Sequence, residues 1–240
     1  MGSTRLPGKV LKKVLGKPLL QYQIERIKKS KFVKKIIVAT TNRAEDNKIV
    51  KLAKKLKVEC YRGSNDDVLQ RITDATIKFK GDINVEMISD SPLTDPRIMD
   101  KIINFFLKNM NKYDYVSNGI QISYPSGMEV CVYKSSKLIE INKLIKKNNK
   151  FREHVECHFT KNKKIKKCNI LANKKYHYPQ IFLEVDTKDD FLVISRIIKH
   201  FHKIKKYFFY LDDILKFLNK NDYLIDKNNK TSRSWRKLKL

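Results

Sequence analysis

The chain of 240 residues carries 53 basic and 25 acidic side chains, giving a formal net charge of +28 and a pI near 9.9. Hydrophobic residues make up 41% of the sequence, enough for one α/β domain or for two small domains. No apolar run reaches the roughly 18 residues of a membrane span, and the first residues lack the apolar stretch of a signal peptide. We therefore expect a cytoplasmic protein without membrane insertion.

The positive charge comes mainly from lysine, since only 10 of the 53 basic residues are arginine. Asn and Ile are also abundant, and an AT-rich coding sequence produces the same bias without selection for any partner. A strongly basic balance is nevertheless typical of nucleic-acid binding, so this alternative stays open. Because no helix-turn-helix, zinc-finger or RNP-like motif accompanies the charge, we do not expect nucleic acid as the partner.

The first half of the chain alternates between two apolar patterns. Four segments with apolar residues at helical spacing predict helices, at 18–29, 44–56, 68–79 and 97–109. Three short β-branched runs predict buried strands, at 35–41, 58–61 and 83–88. This alternation is typical of a parallel sheet with helices on both faces, where ligands bind in the loops that follow the strands. The loop at 89–96 is therefore a candidate ligand loop.

The second half is more irregular. It contains strand-like pieces between 115 and 133, a stretch at 151–160 that fits either helix or loop, and a strand at 181–185. Further helices are predicted at 136–146, 189–201 and 211–218. The tail from residue 227 is polar and basic, and we expect it to be loosely ordered.

The four cysteines form no CxxC pair, so reduced thiols are expected in a chain without a secretory signal. Cys157 lies between His154 and His158, and an HxxxH spacing on a helix can hold zinc. Structural or substrate-contacting roles are the alternative for these residues, and we favour them because few candidate ligands are nearby in the sequence.

The opening segment, residues 2–9, reads GSTRLPGK. Small residues let backbone N–H groups approach phosphate oxygens, while Arg5 and Lys9 can neutralise their charge. The segment is not a Walker A loop, because five residues separate Gly2 from Gly8 and Val10 replaces the required Ser or Thr. Taken alone, the composition fits a surface loop of a lysine-rich protein as well as a phosphate loop.

Residues 2–11, GSTRLPGKVL, resemble the opening motif of the cytidylyltransferases for 3-deoxy-manno-octulosonate and acylneuraminate. The resemblance is closer to the spore-coat polysaccharide biosynthesis protein F type. Matching segments follow in the family's order over roughly the first 200 residues: PLLQYQIERIK, IIVATT, YRGSNDDVLQR, SDSPLTDP, SGMEV, REHV and VDTKDD. This order carries more weight than any single motif.

The resemblance implies a three-layer α/β/α nucleotidyltransferase fold of Rossmann-like type, with a mostly parallel sheet and a small β-rich region for sugar binding and dimerisation. We place the nucleotidyltransferase domain at 1–205 and its sugar-binding and dimerisation region at about 115–180. Residues 206–240 would form a C-terminal helix and a basic tail. The implied activity is transfer of CMP from CTP to an acidic sugar, giving a CMP-sugar and pyrophosphate for surface polysaccharide biosynthesis by a homodimer.

The resemblance also assigns site residues. Asp90 and Asp186 fall where the family holds Mg²⁺, an ion that prefers carboxylate and phosphate oxygens. Asp95 precedes a proline and a helix, and we predict that it is an N-cap. Catalytic roles fall to Arg5, Lys9 and Asp90. Nucleotide contacts are predicted for Gly2, Ser3, Arg5, Lys9, Arg71 and Ser89, and sugar contacts for Glu129, Arg152 and His154.

The sequence departs from the family pattern in several places. No strand precedes the opening motif, and we expect that the start codon has cut it off. Glu86 replaces a basic residue, Ser89 a glycine, Ser91 a cysteine and Gln70 an acidic residue. A truncated, inactive family member is therefore one alternative. A glycosyltransferase that uses a nucleotide-sugar is another, although the pairs at 66–67 and 212–213 are poor substitutes for its DxD motif.

Overall fold

A computed structural model describes residues 5–229, which contain nine α-helices and eight strands. The helices are α1 (Leu19–Ile27), α2 (Asn47–Lys55), α3 (Val68–Phe79), α4 (Pro96–Lys108), α5 (Ser135–Leu144), α6 (Val155–Thr160), α7 (Lys188–Lys203), α8 (Leu211–Asn219) and α9 (Tyr223–Asn229). The strands are β1 (Lys13–Val14), β2 (Lys17–Pro18), β3 (Ile37–Thr41), β4 (Glu59–Gly63), β5 (Ile83–Glu86), β6 (Tyr115–Ser117), β7 (Cys131–Lys134) and β8 (Lys167–Asn169).

The strands form a small hairpin and two larger ladders. β1 and β2 make the hairpin, and β3 pairs in parallel with β4. The four-stranded sheet has the order β5-β7-β6-β8, and only β7 runs against its neighbours. The predicted α/β fold class with a mostly parallel sheet is thus confirmed. Within residues 5–229 no ladder joins β3 to β5.

Helices cover both faces of the four-stranded sheet. Because side chains alternate along a strand, Val116 and Val132 face α4, whereas Tyr115 and Tyr133 face α3, α5 and α6. The rings of Tyr133 and Phe159 have centroids 4.4 Å apart across the second interface. These two apolar layers fix the sheet between helices and leave the strand ends free for loops.

A third apolar layer packs α1 and α2 against the β3–β4 pair. The largest cluster joins Leu6, close to the start of the described residues, to α7, α8 and α9. Helices on both sides of residue 205 therefore share one core. The structure contains no helix within residues 5–229 with the length and apolar character needed to cross a bilayer.

Two predictions of secondary structure are wrong in extent. The strand predicted at 181–185 is reduced to one parallel bridge between Ser126 and Phe182. The predicted loose tail begins too early, because α9 runs through Asn229. Residues 230–240, the rest of that tail, lie outside the described residues.

Candidate active site

The first part of the site is the loop that leads from Arg5 into the hairpin. Leu6 is buried in the largest core cluster, and its carbonyl accepts a hydrogen bond from the backbone N–H of Lys9 at 3.1 Å. Gly8 closes this turn with a φ of 65°, a left-handed conformation that glycine adopts without strain. The buried leucine and the tight turn together fix the direction in which Lys9 leaves the backbone.

The second part is the loop after β5, which carries Asp90. Gln23 of α1 donates to the carbonyl of Ile88 at 2.7 Å, and buried Arg26 donates to the carbonyl of Thr94 at 2.7 Å. Both ends of this loop are therefore tied to one helix. Asp95 caps α4 by accepting from the backbone N–H of Arg97 at 2.9 Å, which confirms the predicted N-cap.

The third part is the turn before α7, which carries Asp186. The carboxylate of Asp190 accepts from the backbone N–H groups of Asp186 at 3.0 Å and Thr187 at 2.8 Å. Thr187 in turn caps α7, so the two residues form a capping box. Val185 donates its backbone N–H to the carbonyl of Asp90 at 2.9 Å. This bond joins the two aspartate loops directly.

Lys9 brings the two aspartates together. Its Nζ lies 2.8 Å from Asp90 Oδ2 and 2.8 Å from Asp186 Oδ1. Arg5 adds a second cation, with Nη2 at 2.9 Å from Asp186 Oδ2. Four residues predicted as site residues thus meet at the carboxyl end of β5, although 181 positions separate Arg5 from Asp186.

Burial and charge act in opposite directions on these groups. Burial raises the pKa of Asp90, and the nearby charge of Asp186 adds to this, while Lys9 works against it. Burial lowers the pKa of Lys9, but the charges and hydrogen bonds of the two aspartates outweigh it, so its pKa lies above the usual value. Lys9 is therefore charged and lies between the carboxyl groups of Asp90 and Asp186.

The donor set fits a magnesium site in part. Among the described residues no group of three or more His, Cys, Asp or Glu side chains is placed to hold a metal. Asp90 and Asp186 nevertheless offer two carboxylate oxygens at 2.8 Å from one nitrogen, so they cannot be further apart than twice that distance. Mg²⁺ in nucleotide enzymes typically takes one or two carboxylates and completes its shell with phosphate oxygens and water.

The other residues predicted to bind the nucleotide are not seen among the ion pairs of this cluster within residues 5–229. Arg71 donates to the carbonyl of Ser64, packs against Gly63 and has its guanidinium pKa lowered by burial. Ser89 is exposed in the loop beside Asp90. Gly2 and Ser3 lie outside the described residues. The nucleotide roles of these four residues remain predictions.

The residues predicted to bind the sugar are spread out. Glu129 accepts from the backbone N–H of Gly127 at 2.7 Å, and His154 occupies the N-cap position of α6 without a capping bond from its side chain. Arg152 is 2% exposed and donates to Asp67 and to the carbonyl of Ile145, each at 2.8 Å, and to Asn142. Two of its five N–H donors have no bond within the described residues, but the burial of Arg152 means that a sugar carboxylate could reach it only if the surrounding residues moved.

Asp190, Arg26 and the backbone of Val185 have positioning roles that were not predicted from the sequence. The threonine and aspartate three positions apart at 187 and 190 form a capping-box pattern that could have identified the first. The role of Arg26 could not be predicted, because no sequence pattern in α1 indicates that its guanidinium donates to the carbonyls of Thr94 and Phe209. Backbone pairing between distant loops is likewise invisible in a sequence.

Comparisons with known proteins identify the family of the chain. Residues 1–229 fit the family model for cytidylyltransferases. The uncharacterized protein MJ1063 of Methanocaldococcus jannaschii is 36% identical over 99% of this chain and 95% of its own. The spore coat polysaccharide biosynthesis protein SpsF of Bacillus subtilis is 28% identical over 82% of each chain.

Among solved structures, a cytidylyltransferase from Leptospira borgpetersenii superposes with a TM-score of 0.87 at 30% identity. The superposition covers 97% of this chain and 94% of that one. The family model spans nearly the whole sequence and includes both aspartate loops. The chain therefore belongs to the cytidylyltransferase family.

Proposed function

We propose that this protein transfers CMP from CTP to an acidic sugar with the help of Mg²⁺, releasing pyrophosphate. The observation that carries the proposal is the meeting of Asp90 and Asp186 at the ammonium group of Lys9. Family membership supports a nucleotidyltransferase reaction, and the motif resemblance to 3-deoxy-manno-octulosonate and acylneuraminate enzymes supports a sugar acid as acceptor. Surface polysaccharide biosynthesis in the cytoplasm and a homodimer belong to the same proposal.

In the proposed reaction, a hydroxyl of the sugar attacks the α-phosphorus of CTP and pyrophosphate leaves on the opposite side. Arg5 and Lys9 would contact the β- and γ-phosphates and stabilise the charge that builds up on the leaving group. Asp90 and Asp186 would hold Mg²⁺, which supplies neutralisation of phosphate charge and a lower pKa for the attacking hydroxyl. No covalent intermediate with the protein is needed.

Each loop contributes to positioning in this scheme. The hydrogen bond from the backbone N–H of Val185 to the carbonyl of Asp90 joins the backbones of the two loops, and Asp190 holds the backbone that carries Asp186. Positioning of this kind lowers the barrier because the reacting groups need not be ordered during the reaction. Arg71 and Ser89 are proposed nucleotide contacts, and Glu129, Arg152 and His154 are proposed contacts to the sugar or to a second subunit.

The test measures pyrophosphate release with each of the four common ribonucleoside triphosphates and a panel of sugar acids. We expect turnover with CTP and one class of sugar acid, dependent on added Mg²⁺. Asp90→Asn should abolish turnover and leave the unfolding transition in place. Asp189→Asn is the matched control, because Asp189 lies three positions from Asp186 but its side chain is 49% exposed.

Full activity of Asp90→Asn would remove this residue from the mechanism. Release of pyrophosphate with a different nucleotide would keep the reaction class and change the base. Strongly salt-dependent binding to random DNA, together with no affinity for CTP, would instead favour a nucleic-acid-binding protein and refute the proposal.

A further inference from the structure

Lys9 occupies the point at which the two carboxylates of the site converge. Its side chain is only 14% exposed, compared with 15% for Asp90 and 10% for Asp186. Arg5 lies further out, with its side chain 41% exposed, and bonds to the other oxygen of Asp186. The inner cation is therefore enclosed between the two acids, whereas the outer one faces solvent.

An ammonium group at this position competes with a divalent cation. Lys9 Nζ uses Asp90 Oδ2 and Asp186 Oδ1, one oxygen from each carboxylate, which are the oxygens a bridging ion would need. Two cations cannot share this small space, because each would face the other's charge at short range. Metal binding between the aspartates therefore requires Lys9 to move.

The backbone around Lys9 is compatible with such a movement of the side chain. Lys9 begins a single turn of 3₁₀ helix, directly after Gly8 in its left-handed conformation. The turn is anchored at Leu6, so the backbone can stay in place while four rotatable side-chain bonds re-aim the ammonium group. A polyphosphate is the kind of ligand that can draw the ammonium away, because it offers a higher density of negative charge than the two acids.

We propose that Lys9 is a tethered counter-ion that excludes divalent cations from the site until a nucleoside triphosphate binds. It neutralises Asp90 and Asp186 in the nucleotide-free protein and transfers to the phosphates when the nucleotide arrives. Nucleotide and metal then enter together, and a metal ion alone does not enter. This inference rests on the proposed function for the identities of the nucleotide and the metal.

The experiment measures binding of Mn²⁺ to nucleotide-free protein, from the EPR signal of the free ion. We expect Lys9→Met to bind Mn²⁺ at least about tenfold more tightly than wild type, the change that one charge-assisted hydrogen bond can supply. Lys17→Met is the matched control, because Lys17 pairs with Glu25 at 2.7 Å on the same segment but away from the aspartates. It should bind Mn²⁺ as wild type does.

The double variant Lys9→Met/Asp90→Asn locates the added ion. Loss of the affinity gain in this variant supports the proposal, whereas its retention places the ion elsewhere and overturns it. Equal Mn²⁺ affinity of Lys9→Met and wild type also overturns it. Lys9→Gln repeats the test with a side chain that keeps polarity, in case Lys9→Met does not show a cooperative unfolding transition.

Wild type alone provides an independent check. A Kd for Mn²⁺ below about 10 µM in the nucleotide-free protein would refute exclusion of the ion. The measurement uses neither CTP nor a sugar, so its outcome is independent of turnover. A gain in Mn²⁺ affinity in Lys9→Met, together with no pyrophosphate release by the wild type, would refute the proposed reaction and leave the counter-ion role in place.

Discussion

Glu86 gives the sharpest prediction on stability. Although the residue as a whole is half-buried, its carboxyl group is enclosed at the end of β5 and accepts a hydrogen bond from Tyr133 at 2.5 Å. Burial raises the pKa of Glu86 from 4.5 to about 7, with a contribution from the charge of Glu156 and against the effect of Tyr133. The folded protein therefore holds this carboxyl protonated at pH values at which the unfolded chain has ionised it.

The sign and size of the effect follow from linkage. Because the folded pKa is the higher one, the contribution of Glu86 to stability is fully present below pH 4.5 and is lost as the pH rises to about 7. One pKa unit corresponds to about 1.4 kcal/mol, so the loss is on the order of 3 kcal/mol. Above pH 7 Glu86 is ionised in the folded protein as well, and the free energy of unfolding is lower by this full amount.

Glu86→Gln isolates this effect, because glutamine keeps an oxygen acceptor for Tyr133 and cannot ionise. We expect equal stabilities of variant and wild type at pH 4.5, and a variant more stable by about 3 kcal/mol at pH 8. Urea denaturation at several pH values measures this difference. Glu59→Gln, at an exposed position of β4, should show no such trend. A constant difference across pH would refute the reasoning.

Three further substitutions have expected outcomes. Asp186→Asn should lower kcat by at least about a hundredfold in a pyrophosphate-release assay, because it removes one of the two carboxylates proposed to hold Mg²⁺. Arg152→Ala should lower the free energy of unfolding by about 3 kcal/mol in urea, since it leaves Asp67 without its 2.8 Å ion pair. Gly127→Ala should lower it by about 1–3 kcal/mol, because its φ is 91° and the new Cβ would lie 2.9 Å from the carbonyl carbon of Leu183.

Matched controls separate these effects from general disturbance. Asp189→Asn, in the first turn of α7 with a side chain 49% exposed, should keep kcat. Arg196→Ala, the control for Arg152→Ala, should leave the free energy of unfolding nearly unchanged, because Arg196 is exposed on α7. Gly81→Ala, the control for Gly127→Ala, should leave the free energy of unfolding nearly unchanged, because its new Cβ lies no closer than 3.8 Å to any neighbour. Unchanged kcat in Asp186→Asn, or controls as damaging as the test variants, would contradict the assignments.

The order of helices and strands could be predicted from apolar periodicity, because burial of one face is a local property of the sequence. The pairing of strands could not, since β7 reaches its place between β5 and β6 only through the tertiary fold. The strand expected at 181–185 illustrates the limit. Its apolar residues are buried, but they pack in a core cluster and form a single bridge instead of a ladder.

The candidate site also has a part that could be predicted from the sequence and a part that could not. The positions of Asp90 and Asp186 in candidate ligand loops could be predicted, because each follows a strand-like run within a recognisable motif. Their shared contact with Lys9 depends on a hydrogen bond between two loops, which no local pattern encodes. The bonds of Arg152 to Asp67 and Asn142 likewise depend on how α3, α5 and the 151–160 segment pack.

Arg26 links the segment after residue 205 to the loop that carries Asp90. Its guanidinium spans the carbonyls of Thr94, in the Asp90 loop, and Phe209, beyond the boundary expected at residue 205. Leu211 also donates its backbone N–H to Asp95 at 2.9 Å. A protein engineered to stop at 205 would thus lose two supports of the loop that presents Asp90, so a fusion or deletion there would affect turnover as well as solubility.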